Sequence, residues 1–368
     1  SDGGIENPTM TIINDQPYVA YKDQFNNDQA TVQKFAFFSN QPTPQWTTSY
    51  GGSLNEFSDD FVQNSDGSYV IAGWSDSNNG LVNINKGMTD AWIVKTDASG
   101  TIVWKKVIGG SNIDRIYSIN KTADGGYIIA GESSSSNGDV GVNNGGIDFW
   151  MVKLDANGNI TWEESFGGSS DDVGEYVIQS SDGSYLMVGR SNSNNGDVSN
   201  PKGGNDIWVI KVSSTGTLLW NKNYGGTADE AAYCVQQTSD GGYIIGGYTY
   251  SNNGDITSNY GNGDHWVLKL NNLGNLQWQK NYGGSSSDYI RSIIQTSDGN
   301  YAFVGTTQSN DIDILNPKGG VSDCSVFRVD AQGTVIWSRS YGGTLEDFGE
   351  TIIQDSDGNL VVCGYSKS

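Results

Sequence analysis

Residues 225–282 carry one complete copy of the unit from which this chain is built: GGTADEAAYCVQQTSDGGYIIGGYTYSNNGDITSNYGNGDHWVLKLNNLGNLQWQKNY. Four short runs in it, AAYCVQQ, YIIGGYTY, DHWVLKL and LQWQKNY, are rich in apolar and aromatic residues and show no helical period. Such runs predict β-strands. The Ser-Asp-Gly-Gly segment between the first two runs supplies the residues that a tight hairpin turn requires.

The unit recurs at an even period along the chain. A residue followed by Gly-Gly closes each copy, aromatic in all but one, with successive spacings of 58, 58, 58, 58 and 59 between Tyr50, Ile108, Phe166, Tyr224, Tyr282 and Tyr341. A tandem array of four-stranded units predicts an all-β fold, a β-propeller in which each copy is one blade.

We expect a single domain over 1–368, because a repeat array forms one unit however long it is. The predicted blades span approximately 8–50, 59–108, 116–166, 174–224, 231–282 and 290–341, with closing strands at 348–366. Seven blades are preferred, the last one short or completed from elsewhere. The alternative is six blades, in which 348–366 pairs with 29–50 and 8–23 forms an appended hairpin.

A turn motif, Asp-x-x-Gly-x-x-x-Trp, stands between the third and fourth predicted strands, as in Asp97, Gly100 and Trp104. It resembles the Asp-box turn of sialidase-like propellers and the tryptophan repeat of quinoprotein propellers. Two copies have Ser213 and Asn271 where the aspartate would stand. The motif is therefore predicted to shape the turn and not to bind a ligand.

The whole unit, SDGGYIIxGxSxSNNGD…GGxDxWxxKLDxxGxxxWxKxYGG, resembles repeats of large secreted proteins of Bacteroidota and some other bacteria. The resemblance covers residues 51–366. Many proteins of that group are surface or type IX-secreted proteins, so the resemblance implies an extracellular or cell-surface location, and adhesion, more than an activity. The sequence opens on SDGGIENPTM, without the features of a signal peptide, and is expected to be a mature form.

The charge balance narrows the classes of partner. Lys and Arg total 20 against 42 Asp and Glu, a formal net charge of −22. Such a surface repels phosphate backbones and anionic lipids, so no nucleic acid partner and no membrane insertion are expected. Calcium and hydroxyl-rich ligands such as glycans fit better. Cys234, Cys324 and Cys363 are predicted to be small buried apolar residues, with a disulfide between Cys324 and Cys363 as the alternative.

An acidic residue follows the first glycine of every Gly-Gly marker by five positions: Glu56, Asp114, Asp172, Glu230, Asp288 and Asp347. In a propeller these six would stand at the mouth of the central channel. The preferred interpretation is that each accepts backbone N–H groups of its own loop. The alternatives are a calcium-binding ring and a clamp for ligand hydroxyls. Asn-Gly-Asp loops, such as 137–139 and 253–255, are interpreted as self-bonded Asx turns rather than calcium ligands.

The candidate ligand contacts are residues that break the repeat pattern. A tryptophan that recurs once per copy is predicted to pack between blades, whereas Trp74, Tyr250 and Tyr260 lie in or beside the long loops without a periodic counterpart. Arg115, Arg291 and Tyr289 are unique to their copies and lie near the acidic positions. These six residues are the predicted ligand-binding set.

The sequence favours a binding protein over an enzyme. His265, the only histidine, is interpreted as a loop-edge residue, which weakens any Ser-His-Asp site. We expect a non-catalytic extracellular or cell-surface module that presents polar loops to a glycan or protein partner, as a monomer or as part of a larger surface assembly. The alternative is a carbohydrate-active enzyme, a glycoside hydrolase or lyase, with a carboxylate pair at the channel mouth.

Overall fold

The computed structural model describes residues 5–13, 16–23, 29–36, 43–80, 85–315 and 317–367, with side chains from Trp46 onward. Every regular element in these ranges is a β-strand. In the same ranges no helix has the length and apolar character needed to cross a membrane.

The first four sheets each contain four antiparallel strands in chain order. Their strands are β1 (Ile5–Ile13), β2 (Gln16–Asp23), β3 (Gln29–Ala36) and β4 (Thr43–Tyr50); β5 (Glu56–Gln63), β6 (Tyr69–Ser75), β7 (Asp90–Thr96) and β8 (Ile102–Ile108); β9 (Asp114–Lys121), β10 (Tyr127–Ser133), β11 (Asp148–Leu154) and β12 (Ile160–Phe166); and β13 (Asp172–Gln179), β14 (Tyr185–Ser191), β15 (Asp206–Val212) and β16 (Leu218–Tyr224).

Two further sheets have the same order, and a last sheet has two strands. They consist of β17 (Glu230–Gln237), β18 (Tyr243–Thr249), β19 (Asp264–Leu270) and β20 (Leu276–Tyr282); β21 (Asp288–Gln295), β22 (Tyr301–Thr307), β23 (Asp323–Val329) and β24 (Val335–Tyr341); and β25 (Asp347–Gln354) with β26 (Leu360–Ser366).

This arrangement confirms the predicted all-β propeller. Six four-stranded sheets and one two-stranded sheet agree with seven blades, of which the last is short. The six-blade alternative required residues 29–50 to pair with 348–366. Instead β3 and β4 continue the sheet of β1 and β2, so residues 8–23 are not an appended hairpin.

The described chain divides into two compact units. Unit 1 comprises Ser1–Gln179, Gly183–Tyr185 and Val212–Thr217, and unit 2 comprises Ser180–Asp182, Leu186–Lys211 and Leu218–Ser368. Each unit has its own apolar core of strand residues. In unit 1 it includes Ile116, Ile129 and Val152, and in unit 2 it includes Ile290 and Phe327.

Recurring aromatic residues pack between neighbouring repeats, as the sequence predicted. Trp150 in unit 1 and Trp266 in unit 2 are almost completely buried. The tryptophan of each turn motif lies over the turn glycine of the next repeat, so that a Cβ on Gly158 would stand 2.9 Å from the Trp104 ring. Tyr50 donates its hydroxyl to the Gly100 carbonyl at 2.7 Å, which joins the same elements. These contacts leave the periodic tryptophans no role as sugar platforms.

The turn motif is a shape device, also as predicted. Asp97 Oδ1 accepts the N–H groups of Ser99 and Thr101 at 2.8 and 2.9 Å. Where asparagine replaces the aspartate, Asn271 Oδ1 accepts the two equivalent N–H groups at 3.0 and 2.9 Å. Any side chain with a suitably placed oxygen therefore closes this turn.

The cysteines and the histidine follow different outcomes. All three cysteines are free thiols, so the alternative disulfide is absent, and Cys234 and Cys324 are buried as expected while Cys363 is half-buried. The interpretation of His265 as a loop-edge residue is wrong. It is completely buried in β19, with its Nε2 atom 2.9 Å from Ser325 Oγ, and burial lowers its pKa. A ring between Phe303 and Phe327 is a core residue.

Candidate binding site and the buried acids

The six loop acids begin the first strands of their repeats, where all of them are buried. In unit 1, Asp114 Oδ2 accepts the Gly110 N–H at 2.6 Å and the Ser135 hydroxyl at 2.8 Å. In unit 2, Glu230 accepts the Gly226 N–H at 2.8 Å and the Thr249 hydroxyl at 2.7 Å. Asp172, Asp288 and Asp347 bond a marker-loop N–H in the same way, and Glu56 accepts the Ser75 hydroxyl.

These bonds are the ones that the preferred interpretation of the loop acids requires. Among the residues that the structure describes, no group of three or more His, Cys, Asp or Glu side chains is arranged to hold a metal ion. Calcium binding by this set stays a prediction.

A second set of buried acids, which sequence reasoning missed, lies beside the first. These aspartates begin the third strands. A Cβ on the marker glycine Gly109 would lie 2.1 Å from Asp90 Oδ1 and 2.9 Å from Asp114 Oδ2, so the two carboxylates flank one glycine. The same arrangement recurs at Gly225, between Asp206 and Glu230. The signal was available, because an aspartate stands two positions before the third-strand tryptophan at the same period as the loop acids.

Pairing two buried carboxylates shifts their titration. Burial, together with repulsion from the adjacent loop acid, raises the pKa of Asp90 and of Asp206 to about 6. One oxygen of each of these two aspartates accepts backbone N–H groups, from Lys86 and Lys202 respectively. Each also has a buried Oδ1 atom with no hydrogen-bond donor among the described residues. We refer to the third-strand aspartate and the adjacent loop acid as a junction pair.

The Asn-Gly-Asp loops are not self-bonded Asx turns, so that interpretation is corrected. Asn137 Oδ1 accepts the Ser111 N–H at 2.9 Å, and Asp139 accepts the Gly109 N–H at 3.2 Å. Asp139 also forms an ion pair with Lys86. The loop between second and third strands is thereby tied to the marker loop that opens the same repeat. This contact places both kinds of long connection on one face of the sheet, as predicted.

The first strand of the repeat contains a β-bulge that re-aims one side chain. The register of β9 on β10 shifts between Ser118 and Ile116, and Tyr117 is the extra residue. Gly131 faces the bulge, and a Cβ there would lie 1.9 Å from the Arg115 carbonyl oxygen, which only glycine permits. The extra residues at the equivalent bulges are Asp59, Tyr233, Arg291 and Glu350.

In unit 1 the bulge and its neighbours form what we call the arginine cluster: Phe57, Trp74, Arg115, Tyr117 and Glu132. Phe57 stacks on Trp74 with ring centroids 3.9 Å apart and an interplanar angle of 16°. The Arg115 guanidinium lies 4.7 Å from the centroid of Trp74 and donates to Glu132 Oε1 at 3.0 Å. Burial and the adjacent Glu132 raise the pKa of Tyr117.

Acidic side chains lie next to the arginine cluster. Burial raises the pKa of Asp59 well above its usual range, and the neighbouring Asp60 and Glu175 add to the shift. Burial also raises the pKa of Asp60 to about 7, although Asp60 accepts the N–H groups of Phe61 and Ile119. A protonated carboxyl and an ionised one, Glu132, therefore stand near the same arginine.

In unit 2 the equivalent positions form the tyrosine cluster: Tyr233, Tyr248, Tyr250, Tyr289 and Arg291. The hydroxyls of Tyr250 and Tyr289 are 2.7 Å apart. Tyr248 packs edge-on against both, at centroid distances of 5.3 and 5.1 Å. Arg291 lies 4.5 Å over the Tyr233 ring. These contacts hold four phenol rings in fixed orientations.

The tyrosine cluster is open to solvent. Tyr250 is 38% exposed, and its ring packs over Gly263. Arg291 is exposed as well, with its Nε atom 3.9 Å from Glu350 Oε2. Partial burial and the hydrogen bond with Tyr289 raise the pKa of Tyr250, which keeps this phenol neutral in ordinary conditions. Neutral hydroxyls both donate and accept hydrogen bonds.

The structure distributes the six predicted ligand contacts between the two units. Trp74 and Arg115 belong to the arginine cluster, and Trp74 lies within strand β6 rather than beside a loop. The tyrosine cluster holds Tyr250, Tyr289 and Arg291. Tyr260 is 42% exposed in the loop before β19 and makes no ring contact within the described part of the chain.

Sequence reasoning missed Tyr117, Glu132, Tyr233 and Tyr248. Second-strand residues such as Glu132 and Tyr248 stand opposite first-strand ones, as in the pairing of Arg115 with Glu132 and of Ala231 with Tyr248. A glycine at the fifth position of every second strand from β6 onward was the available signal for the bulge that brings in the others.

Comparison with known proteins bears on the fold. No family model matches the chain, and no curated protein is similar to it. The solved Pan2 WD40 domain of Neurospora crassa aligns with a TM-score of 0.57 at 9% identity, covering 99% of this chain and 88% of that chain. BBS1N, solved in complex with ARL6DN, gives 0.52 at 9% identity, with 99% and 89% covered.

A putative 6-phosphogluconolactonase from Bacteroides fragilis gives a TM-score of 0.50 at 12% identity, covering 90% of this chain and 83% of that chain. At such identities the likeness shows the propeller fold alone. Structures with this fold include both WD40 domains and enzymes, so the fold is compatible with binding and with catalysis.

Proposed function

We propose that this protein is a non-catalytic binding module for a glycan, working outside the cell or at its surface. The observation that carries the proposal is the tyrosine cluster, in which four phenol rings are held by one another and two of them, Tyr250 and Tyr289, share a hydrogen bond between hydroxyls. Rings fixed in this way cost little conformational entropy when a ligand binds.

The chemistry of the cluster suits a neutral sugar. Phenol rings offer apolar faces for the C–H groups of a sugar ring, and their hydroxyls exchange hydrogen bonds with sugar hydroxyls. The net charge of −22 disfavours strongly anionic polymers. The extracellular setting, type IX secretion, adhesion and an origin in Bacteroidota are supported by the resemblance of the repeat.

The proposal is tested by a glycan array followed by titration calorimetry on the glycans that bind. Changing Tyr250 or Tyr289 to alanine should weaken binding at least tenfold, because each change removes a contact ring and frees its neighbour. The matched control is Tyr341→Ala, since Tyr341 is a 51% exposed tyrosine of the same unit outside the cluster. Binding that all three variants retain equally would refute the tyrosine cluster as the site. A protein ligand captured instead of a glycan would refute the ligand class.

A carbohydrate-active enzyme is the second candidate, because the acids beside Arg115 have different environments. Glu132 is ion-paired, whereas the pKa of Asp59 is raised by burial and by neighbouring acids. A proton donor and an ionised carboxylate are what glycoside hydrolysis requires. The loop acids Asp114 and Asp288 suit this role less, since both are buried and bonded to their own loops.

Release of reducing sugars from plant and algal polysaccharides, lost in Asp59→Asn but not in Asp114→Asn, would establish the enzyme. The absence of turnover on every glycan that binds would exclude it for those glycans.

A further inference from the structure

The last sheet differs from the six before it in the number of its strands. β25 and β26 form a two-stranded sheet, whereas every other second strand lies between a first and a third strand. β26 has the sequence LVVCGYS, the same type as YIIAGES in β10 and YVIAGWS in β6. Its residues are half-buried or exposed, while those of β10 are all buried. A strand with a core-type sequence therefore presents an open outer edge.

The register of the complete sheets predicts what would fit this edge. The glycine at the fifth position of the second strand stands opposite the third-strand tryptophan, as in Gly131 with Trp150 and Gly247 with Trp266. Because β25 pairs with β26 in the register of β9 with β10, Gly364 is the equivalent glycine. A strand docked on β26 would place a tryptophan opposite Gly364.

The same register places a basic residue opposite the second position. Ile128 stands opposite Lys153, and Ile244 stands opposite Lys269. The residue of β26 at this position is Val361. A docked strand would therefore carry a lysine or an arginine three residues after its tryptophan.

An unpaired charge lies at the position where this basic residue would reach. In complete sheets the third-strand cation bonds the aspartate of the turn before the second strand: Lys153 with Asp124 at 2.9 Å, Lys211 with Asp182 at 2.7 Å, and Lys269 with Asp240 at 2.8 Å. Arg328 pairs with Asp298 in the same way. The equivalent residue before β26 is Asp357, which has no cationic partner within the described residues.

We propose that β26 and Asp357 form a docking edge for a strand supplied by a partner polypeptide that carries the pattern Asp-x-Trp-x-x-Lys/Arg-apolar. Backbone hydrogen bonds along the open edge would provide affinity, and the glycine opposite tryptophan and the Asp357 carboxylate would provide specificity. A second copy of this chain is a poor source, because its own third strands of this type are already paired inside four-stranded sheets.

The probe for this proposal is a labelled peptide of residues 145–168, GGIDFWMVKLDANGNITWEESFGG, which contains a third and a fourth strand. Fluorescence anisotropy should show saturable binding to the folded protein. Asp357→Lys should weaken binding at least tenfold, and a peptide with Lys153→Glu should recover it on that variant, because the charges are exchanged. Rescue of this kind cannot arise from a general loss of structure.

A second variant tests the edge itself. Val362, 36% exposed, would face the peptide valine Val152, as Ile129 does in the complete sheet. Val362→Lys should lower affinity, whereas Leu219→Lys, at a 54% exposed apolar position of β16, should not. Circular dichroism and melting temperature establish that each variant is folded.

Three outcomes would overturn the proposal: no binding of the peptide to the folded wild type, equal binding to wild type and Asp357→Lys, or self-association that Val362→Lys abolishes. The last would identify the occupant as a second copy. Each outcome is independent of glycan binding, since neither Asp357 nor Val362 belongs to the tyrosine cluster.

Discussion

The arginine cluster of unit 1 and the tyrosine cluster of unit 2 occupy the same positions of the repeat but differ in how far their groups satisfy one another. In the arginine cluster, Arg115 is engaged by the Trp74 ring and by the Glu132 carboxylate. In the tyrosine cluster, Tyr250 and Tyr289 bond each other, and Tyr250 remains 38% exposed. The first arrangement is a closed internal network, and the second leaves aromatic and hydroxyl groups available to a ligand.

Both clusters use positions that the repeat leaves free to vary. The periodic tryptophans, marker residues and junction pairs have the same roles in both units, in packing and in bonding the loops. The inner-strand positions differ from copy to copy, since their side chains are not needed to hold the sheets. A ligand site in a repeat protein is therefore expected at aperiodic residues, and the predictions below test this separation.

The largest effect is expected where a periodic residue is removed. Trp150→Ala should lower the free energy of unfolding by about 3–5 kcal/mol, because Trp150 is 1% exposed and its loss leaves a cavity. Trp74→Ala should cost less than half of that loss, because Trp74 is half-buried and contacts mainly Phe57 and Arg115. Chemical denaturation of the two variants gives the comparison directly. Equal losses would mean that aperiodic cluster residues also hold the fold.

An intermediate effect is expected from the junction pairs, which occur in both units. The pKa of Asp90, Asp206 and Asp264 is about 6 in the folded state, against 3.8 for the model carboxyl. The folded protein therefore takes up protons that the unfolded chain does not. Stability should rise as pH falls from about 8 through 6 towards 4, by on the order of 1–3 kcal/mol per pair.

Below about pH 4 the gain should end, because the unfolded chain is then protonated too, and acids with a lowered pKa, such as Asp124 and Asp240 at about 2, begin to lose their contribution. Melting temperatures across this range measure the effect. Asp90→Asn in unit 1 and Asp206→Asn in unit 2 should each flatten the profile. A profile that only one of them changes would contradict the equivalence of the units.

Calcium provides a second measurement on the same acids. If the loop acids bind it, millimolar calcium at constant ionic strength should raise the melting temperature at pH 7.5, and chelator should lower it. The effect should diminish when Asp172 and Asp288 are both changed to asparagine. An unchanged melting temperature would leave the loop acids as bonds within their own loops.

The sequence predicted the features that depend on period, and it missed those that depend on register. The even spacing of the markers was sufficient to predict the propeller, its strands and the packing role of tryptophans such as Trp150. The junction pair of Asp90 with Asp114 joins two repeats, so it becomes visible only when the strands are placed side by side. The clusters depend on the bulges at Tyr117 and Tyr233, and a bulge changes which side chains meet without changing the period.

The smallest effect on stability should accompany the sharpest effect on function. Tyr289→Phe removes one hydroxyl from an exposed hydrogen bond and keeps the ring, so the free energy of unfolding should change by less than about 1 kcal/mol. Glycan affinity should nevertheless fall severalfold, because the hydroxyl that would contact the sugar is gone while the ring contact with Tyr248 persists. Calorimetry on Tyr289→Phe and Tyr289→Ala separates the contribution of the hydroxyl from that of the ring. A stability loss as large as that of Trp150→Ala would instead make the tyrosine cluster a structural element, and its likeness to the closed network around Arg115 would then outweigh the difference.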